Sequence, residues 1–345
     1  MKLRQVDNPP NPYVSHEMEW LEPPPVARLQ VFEDSSRSIL SSNDSPDLPF
    51  KWSVNPYRGC QHACSYCYAR RTHEYLGFGA GTDFDTKIIV KPDAPQLLRA
   101  AFENPKWKGE SVMFSGVTDC YQPLEAAYRI TRQCLEVCIE FGNPAAVVTK
   151  GFLVVRDADL LARLNEKAAA HVWISIPFAD PSVCKLFEPQ APPPDRRLEA
   201  IRRLRDAGVP VGVFVAPVIP GLTDHEIPTI LQQAAEAGAQ FASHTALRLP
   251  GSVADVFIQR LRAAMPMRAD RVLNRLRDIH GGKLNDSRFG HRMRGEGAYW
   301  ETVRKLFAIS KKRFGLDRSD PPNCTGAIEP LAAPQTPQLT FDFSG

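Results

Sequence analysis

Short apolar runs alternate with longer amphipathic segments between residues 51 and 250, and this pattern predicts repeated strand–helix units. The apolar runs contain many β-branched residues and have the length of ordinary strands. They predict six strands: Trp52–Pro56, Ser111–Ser115, Ala145–Thr149, Val172–Ile176, Val211–Ala216 and Thr245–Leu249. The segments between them have helical periodicity and predict five helices: Ala94–Phe102, Glu125–Phe141, Asp157–Ala170, Asp195–Ala207 and Asp224–Ala237.

Units of this kind predict an α/β fold with a parallel sheet, because right-handed crossovers join parallel strands of one sheet. We expect a partial (β/α)6 TIM-like barrel over residues 51–250, since the closed barrel needs eight units. A doubly wound parallel sheet is the alternative.

The segments on either side of this region differ in composition. Residues 1–50 are rich in Pro and Ser and predict an extended N-terminal extension without a sustained apolar period. After residue 250 the pattern predicts three helices, Val256–Ala264, Ala269–Ile279 and Ala298–Phe314. They form a C-terminal helical extension over residues 251–320, and residues 321–345 are expected to be a flexible tail.

Positive charge is concentrated in the C-terminal extension. The whole chain has a formal net charge of +3, yet residues 256–320 carry 12 Arg and 4 Lys against 5 Asp and 2 Glu. A glycine-rich run in this part places Arg288, Arg292 and Arg294 beside Phe289. Guanidinium groups next to an aromatic ring are typical of nucleic-acid contacts. The alternative is a structural loop whose arginines form salt bridges to the barrel.

Neither a membrane protein nor a disulfide-stabilised secreted protein is indicated. The sequence has no apolar run long enough to cross a membrane, and its first residues do not resemble a secretory signal. Eight cysteines are too few and too unevenly placed for a disulfide framework in a chain of 345 residues. We therefore expect a cytoplasmic protein.

Three cysteines form a compact set of possible metal ligands, Cys60, Cys64 and Cys67. Their Cys-x3-Cys-x2-Cys spacing can hold three irons of a [4Fe–4S] cluster and leave the fourth iron open to a small molecule, whereas four thiolates close an electron-transfer cluster. The open iron indicates chemistry in addition to electron storage. With His62 as a fourth ligand, a Cys3His zinc site is the alternative.

The motif, with Tyr66 before the last cysteine and a strand before the loop, resembles that of the radical S-adenosylmethionine (SAM) superfamily. Further similarities over residues 50–250 favour the spore photoproduct lyase-like branch. They are Cys67-Tyr68, Thr118-Asp119, Thr149-Lys150 and Arg156-Asp157. The resemblance implies a relative of the lyase with an added region around residues 285–290.

The resemblance also implies the cofactors and their ligands. SAM would bind the open iron through its amino and carboxylate groups, and reduction of the cluster would cleave SAM to methionine and a 5′-deoxyadenosyl radical. By the same resemblance, Tyr66 would lie by the adenine, Thr118 would contact the methionyl group, Lys150 the carboxylate and Ser175 the ribose. A core hydroxyl is the alternative for Ser175, and an exposed strand-end lysine is the alternative for Lys150.

One position differs from the lyase pattern and affects the expected catalytic residues. The lyase family has a hydrogen-donating cysteine where this chain has Gly116, whereas Cys120 lies on the other side of Asp119. Cys120 is therefore a candidate donor, with an inert buried thiol as the alternative. Tyr68 is a candidate radical relay, with a packing role as its alternative.

Two function classes follow. The first is a radical SAM enzyme acting on an unidentified substrate, with DNA as one candidate in a lyase-like repair reaction. The second is a non-catalytic iron–sulfur or zinc protein that binds nucleic acid. Expected partners are an external flavodoxin or ferredoxin as reductant, nucleic acid, and a sliding clamp, because residues Gln338 to Phe343 resemble the short clamp-binding peptides of bacterial repair proteins.

Overall fold

Six parallel strands follow one another in sequence order across the main sheet of the protein. The computed structural model describes residues 28–317. Within this part the strands are β1 (Gln30–Glu33), β2 (Leu40–Ser42), β3 (Trp52–Val54), β4 (Tyr57–Arg58), β5 (Lys87–Val90), β6 (Val112–Phe114), β7 (Ala145–Thr149), β8 (Ala170–Ser175), β9 (Val211–Val218) and β10 (Phe241–Ala246).

The helices of the described residues surround this sheet and extend beyond it. They are α1 (Arg71–Glu74), α2 (Thr82–Thr86), α3 (Ala94–Glu103), α4 (Glu125–Tyr128), α5 (Ile130–Phe141), α6 (Ala158–Lys167), α7 (Pro181–Phe187), α8 (Pro194–Asp206), α9 (Ile227–Glu236), α10 (Val253–Ala264), α11 (Pro266–Ile279) and α12 (Gly297–Arg313).

Strand order distinguishes between the two predicted architectures. The main sheet runs β10-β9-β8-β7-β6-β3-β2, and all neighbours are parallel except β2, which is antiparallel to β3. The six parallel strands lie across the sheet in the order in which they occur in the chain. In a doubly wound sheet, by contrast, this order reverses at one point. The partial barrel is therefore confirmed.

Two strands in the Pro- and Ser-rich N-terminal region were not predicted. β1 pairs with β5 in a three-stranded sheet with β4, and β2 forms an edge of the main sheet. All four residues of β1 are exposed, and β2 is exposed or half-buried. Such strands need no apolar alternation, so the sequence pattern gives no sign of them.

The two faces of the main sheet carry different side chains. Val112 and Phe114 of β6 pack in the main core together with residues of the surrounding helices. Met113, between them, points to the opposite face and packs with Ala146 and Phe50. Because Phe50 belongs to the segment between β2 and β3, this segment covers part of the concave face of the barrel.

A buried carboxylate divides the predicted helix Glu125–Phe141 into α4 and α5. Arg129 between them has φ 54°, in the left-handed region. Glu125 accepts hydrogen bonds from the backbone N–H groups of Thr131 (3.0 Å) and Arg132 (3.3 Å), and from the Tyr57 hydroxyl at 2.5 Å. These bonds satisfy N–H groups at the start of α5, so a new helix begins there.

The sixth strand lies earlier than predicted. β10 covers Phe241–Ala246, and the predicted strand Thr245–Leu249 extends past its end. Leu247 and Leu249 are apolar because they pack in a second cluster with Cys64 and Tyr66, and not because they continue the sheet.

Two contacts fix β10 against its neighbours. Phe241 lies so close to Gly212 of β9 that a Cβ atom on Gly212 would be 2.0 Å from the ring. On the other side, the ring of His244 lies 4.1 Å from that of Phe307 in α12. Burial, together with the charges of Arg304 and Lys311, lowers the pKa of His244 to about 4.

The three predicted C-terminal helices are present as α10, α11 and α12, and each begins between one and three residues earlier than predicted. In α11 the first helical residue is Pro266, a position that suits proline because the first helical N–H has no partner within the helix. No helix among residues 28–317 is long and apolar enough to cross a membrane.

Candidate active site at the carboxyl edge of the barrel

The loop that carries Cys60, Cys64 and Cys67 begins directly after β4. Gly59 has φ 78°, and a Cβ atom there would be 2.9 Å from both the His73 ring and the Phe84 carbonyl oxygen. Only glycine permits this close approach, which lets the Cys60 N–H donate to the Phe84 carbonyl at 3.0 Å.

Arg70 stabilises the conformation of this loop through buried hydrogen bonds. It is 1% exposed. Its Nε donates to the Cys64 carbonyl at 2.9 Å, and one terminal nitrogen donates to the carbonyls of Ala80 (2.9 Å) and Gly81 (2.8 Å). The other terminal nitrogen pairs with Asp85 at 2.8 Å. A single guanidinium therefore joins the cysteine loop to the segment that precedes β5, and the sequence analysis did not identify it.

The three thiols are free and lie near one another. Burial and the nearby Cys60 raise the pKa of Cys67 to about 11, although Arg70 opposes the rise. Burial also raises the pKa of Cys64, with Glu188 and the other two thiols adding to the effect. Cys60 and Cys64 are buried and Cys67 is half-buried. Because the pKa values of Cys64 and Cys67 are raised, these thiols need nearby positive charge to become thiolates, and iron ions supply it. The donor set thus fits an iron–sulfur cluster.

The zinc alternative is not favoured by the position of His62. Its Nδ1 lies 3.2 Å from an Asp119 oxygen. Burial works against protonation of His62, but Cys60 and Asp119 outweigh it and raise the pKa to about 10. Within the described residues, no three His, Cys, Asp or Glu side chains are close enough to hold one metal ion. A cluster does not need that convergence, because its thiolates bind different irons.

Asp119 joins the end of β6 to the end of β7. Its carboxylate accepts hydrogen bonds from the Thr149 hydroxyl at 2.6 Å and from the Lys150 N–H at 2.8 Å. Burial alone would raise the pKa of Asp119, but His62 and these hydrogen bonds hold it well below its usual range. The predicted pair Thr118-Asp119 and the predicted Lys150 are therefore brought together at the carboxyl edge of the sheet.

Hydrogen bonds of the Gln61 and Gln122 side chains connect the segment after β6 to the cysteine loop. The Gln61 N–H donates to the Gln122 side chain at 3.1 Å, and the Leu124 N–H donates to the Gln61 side chain at 2.9 Å. The Thr118 hydroxyl donates to the Gly59 carbonyl at 2.5 Å, and the Gln122 amide donates to the same oxygen at 3.2 Å. Thr118 lies at the cluster loop, as expected of a cofactor ligand, although its hydroxyl proton is used within the protein.

A buried acidic residue that the sequence analysis missed lies at the centre of the site. Glu188, with no exposed side-chain surface, accepts hydrogen bonds from Tyr66 and Arg197, and Lys150 Nζ lies 3.7 Å from it. Cys184 also donates to it, at 3.3 Å. Burial would raise the pKa of Glu188, but Arg197 and Lys150 lower it, so the carboxylate is charged.

Lys150 and Tyr66 are positioned by this carboxylate. Lys150 Nζ lies 5.7 Å from the centroid of the Tyr66 ring, and its side chain is 16% exposed. Burial lowers the pKa of Lys150, yet Glu188 and Cys64 have the larger combined effect and raise it. The ammonium group is thus charged beside the cysteine loop. Because an ammonium has three donors, Lys150 can bind a further anion while it pairs with Glu188.

Ser175 ends β8 at the same edge of the sheet. Its hydroxyl is buried and donates to the Ala216 carbonyl at 3.0 Å. Arg197 donates to the Ser175 carbonyl at 2.9 Å. The structure places Ser175 beside the Glu188 network, and its assignment to the ribose of SAM stays a prediction.

The two predicted catalytic residues occupy different environments. Cys120 has no exposed surface and packs in the main core, where the Ser115 hydroxyl accepts a hydrogen bond from its backbone N–H at 3.2 Å. Tyr68 is 51% exposed, and its hydroxyl donates to the Gly116 carbonyl at 2.5 Å. Tyr68 thus contacts the position at which the lyase family carries its cysteine. The structure does not bring Cys120 to the opening, and its role as a hydrogen donor stays a prediction.

The glycine-rich run after α11 connects the last strand to the segment after β2. Arg292 Nε donates to Asp47 at 2.5 Å, and the Gly290 N–H donates to the other Asp47 oxygen at 2.6 Å. Met293, the residue after Arg292, accepts a hydrogen bond from the Ala246 N–H through its carbonyl at 3.3 Å. This arrangement corresponds to the structural alternative proposed for the loop, and it leaves the nucleic-acid role untested.

The other arginines of this run lie on its outer surface. Arg288 pairs with Asp286 at 2.6 Å and approaches Glu296 at 3.7 Å, and its side chain is 65% exposed. Phe289 is also exposed and lies 4.4 Å from the Arg292 guanidinium. Arg294 is exposed as well. The predicted clamp-binding peptide, residues 338–343, lies outside the described residues.

Comparison with known proteins identifies the family. A family model described as the radical SAM superfamily matches residues 54–234. A protein of Mycobacterium tuberculosis, described only as uncharacterised, is 36% identical over 293 residues, which are 83% of this chain and 82% of the relative. An uncharacterised protein of Methanocaldococcus jannaschii is 32% identical over 200 residues, 58% of this chain and 72% of the relative.

Solved structures show the same fold. Spore photoproduct lyase complexed with dinucleoside spore photoproduct has a TM-score of 0.59 and 18% sequence identity, and the match covers 82% of this chain and 79% of the lyase. A mutant of the lyase with bound AdoMet and the same dinucleoside has a TM-score of 0.56 and 19% identity, covering 82% and 78%. Together with the sequence match over residues 54–234, these findings establish that the chain belongs to the radical SAM superfamily.

Proposed function

We propose that this radical SAM enzyme holds a [4Fe–4S] cluster on Cys60, Cys64 and Cys67 and acts on a nucleic-acid substrate. Family membership gives the cofactors as a [4Fe–4S] cluster and SAM, and it favours an enzyme over a non-catalytic binding protein. One observation carries the assignment of ligands: three free thiols lie next to one another beside the charged Lys150. When bound, the two cofactors supply a one-electron cleavage of SAM that yields a 5′-deoxyadenosyl radical.

The residues around the thiols have separate tasks in this proposal. Lys150 binds the carboxylate of SAM, and Glu188 keeps the ammonium charged and in place at 3.7 Å. Arg197, fully buried, offsets the charge of Glu188, so Lys150 is not fully neutralised by it. Tyr66 is oriented by the same carboxylate, which fixes the ring beside the loop for contact with the adenine.

Three features support a nucleic-acid substrate. The chain shares its fold with a lyase solved in complex with a dinucleoside spore photoproduct. The C-terminal part is basic, and nucleic-acid affinity depends strongly on phosphate contacts. The exposed ring of Phe289 lies against Arg292 near the barrel opening, as in surfaces on which bases stack.

The remaining catalytic assignments belong to the same proposal. Tyr68, exposed beside the cysteine loop, is the candidate radical relay. Cys120 is the candidate hydrogen donor, and its burial means that a substrate could use it only through a relay. The electron donor is proposed to be an external flavodoxin or ferredoxin, and the sliding clamp is a proposed partner through residues 338–343.

Formation of 5′-deoxyadenosine tests the assignment of the cluster ligands. The protein is reconstituted anaerobically with iron and sulfide, treated with dithionite and SAM, and analysed by chromatography. We expect 5′-deoxyadenosine from the wild type, and neither the iron–sulfur absorption nor the product from Cys64→Ala. Cys134→Ala is the matched control, because Cys134 is a buried thiol of α5 outside the site. Product from Cys64→Ala, or none from a fully loaded wild type, would overturn the proposal.

A further inference from the structure

Arg248 lies just beyond the end of β10, on the edge of the barrel where the candidate site is found. The Leu247 N–H donates to the Val218 carbonyl at 3.0 Å, and the Leu249 N–H donates to the Asn285 side chain at 3.1 Å. The side chains of Leu247 and Leu249 pack in the same cluster as Cys64. Successive side chains of an extended segment point to opposite sides, so Arg248 faces away from that cluster.

Within the part of the chain that the structure describes, the guanidinium of Arg248 has no acidic partner. Its Nε is buried and makes no hydrogen bond, and one terminal nitrogen contacts the Met293 sulfur at 3.2 Å. Thioether sulfur is a weak acceptor. Among residues 28–317 no carboxylate forms an ion pair with Arg248, whereas Arg288 and Arg292 both have one. A half-buried charge without a partner is costly, and such groups are concentrated at functional sites.

The groups that surround Arg248 leave the region positive. Arg248 contacts Met293, the residue that follows Arg292, so a second guanidinium group lies in the same region. Burial lowers the pKa of Arg248, and the charge of Arg292 lowers it further. Asp47 also acts on the charge of Arg248, but its two oxygens are bonded to Arg292 and to the Gly290 N–H. Two arginines therefore share one carboxylate, and an anion is needed to balance the charge.

The free guanidinium also lies beside the cysteine loop. The residues on either side of Arg248, Leu247 and Leu249, pack with Cys64 and Tyr66 of that loop. Tyr68 follows Cys67 directly and presents an exposed ring. An anion on Arg248 would thus be held next to the place where the proposed radical is formed. Two exposed aromatic rings lie on the adjoining segments: Tyr68 in the cysteine loop, and Phe289 against Arg292.

We propose that Arg248 binds a backbone phosphate of a single-stranded nucleic-acid substrate and so positions that substrate at the cysteine loop. The inference rests on the proposed function and names its substrate-binding residue. A guanidinium fork matches two phosphate oxygens, and exposed rings beside it suit unstacked bases better than they suit a peptide carboxylate.

Binding of a fluorescein-labelled dT10 oligonucleotide to the reconstituted, full-length protein tests this assignment. Fluorescence anisotropy is measured over a series of salt concentrations. Loss of one charge-assisted contact predicts about tenfold weaker binding for Arg248→Gln at low salt, and a salt slope smaller by about 0.7. Arg248→Lys should fall between the two, because it keeps the charge and loses the fork.

Arg202→Gln is the matched control. Arg202 is an exposed arginine of α8 that pairs with Glu199, so the substitution removes the same charge away from the opening. The inference is overturned if Arg248→Gln weakens binding no more than Arg202→Gln. It is also overturned if the wild type does not bind dT10, or if Arg248→Gln weakens binding equally for an uncharged methylphosphonate strand.

Further measurements distinguish a peptide ligand from a nucleic acid, and a failure of the proposed function from a failure of the Arg248 assignment. Tighter binding of a labelled acidic peptide than of dT10, lost in Arg248→Gln, would assign a peptide carboxylate and overturn the phosphate. Circular dichroism checks whether each variant is folded. If Arg248→Gln does not fold, Arg248→Lys is the second variant to be tested. Wild-type 5′-deoxyadenosine formation is measured separately: its absence refutes the proposed function, whereas normal formation with unchanged dT10 binding refutes only the role of Arg248.

Discussion

Removing the charge of Glu188 should destabilise the fold more than any surface charge change. Glu188 and Arg197 have no exposed side-chain surface, so Glu188→Gln leaves a buried guanidinium without its counterion. Breaking a buried ion pair by removing one partner costs about 3–5 kcal/mol. Glutamine keeps the volume and one acceptor oxygen, which places the expected loss near the lower end of that range, about 3 kcal/mol.

Urea unfolding at neutral pH, followed by circular dichroism, measures this loss as a lower midpoint. Glu199→Gln is the control, because Glu199 lies on the surface of α8 and pairs with Arg202 and Arg203 there; little change is expected. Adding Arg197→Met to Glu188→Gln should recover part of the loss, since it removes the uncompensated charge. Equal urea midpoints for Glu188→Gln and Glu199→Gln would refute the reasoning. A lower midpoint for the double variant than for Glu188→Gln would refute it as well.

Three other perturbations test packing and titration elsewhere. His244 has a lowered pKa in the folded state, so its own contribution to stability should be constant above pH 6.5 and fall as pH drops from about 6.5 to 4, where the unfolded chain binds the proton first. Urea midpoints of His244→Phe should therefore fall less over this pH range than those of the wild type. Gly212→Ala should destabilise by about 1–3 kcal/mol because its Cβ would meet the Phe241 ring at 2.0 Å, and Phe241→Leu should reduce the penalty in thermal melts; no penalty would contradict the contact. Asp47→Asn weakens the pairing of Arg292, so trypsin should cleave the run 281–297 faster while global unfolding changes little; equal cleavage would show that the ion pair does not hold the loop.

The parallel sheet could be predicted from the sequence because its signal is local. Strands such as Ala145–Thr149 are buried on both faces and read as short β-branched runs, so order and direction follow from the crossovers. The position of β10 could not be predicted, because Leu247 and Leu249 have the same apolar character as strand residues and are buried for a different reason. The split between α4 and α5 depends on Glu125, whose burial is a property of the tertiary structure.

Some residues of the candidate site could likewise be predicted from the sequence, and others could not. The cysteines, Thr118 and Lys150 follow strands or lie within one compact motif, so spacing and resemblance could identify them. Glu188 lies 122 residues from Tyr66 in the sequence, and no motif surrounds it. Arg248 follows a strand whose end was misplaced, which concealed its position at the barrel edge. Partners at such distances are visible only when the chain is folded.

The two edges of the main sheet lie at β10 and β2, and no ladder joins them. The run after α11 reaches from Ala246 at one edge to Asp47 near the other, where an Arg292 ion pair holds it. A closed eight-stranded barrel has a circumference fixed by its backbone ladders, whereas here the run is held by a backbone hydrogen bond at Ala246 and by the Arg292–Asp47 ion pair, which salt weakens. The width of the gap therefore depends on these contacts and not on any strand-to-strand hydrogen bond of the main sheet.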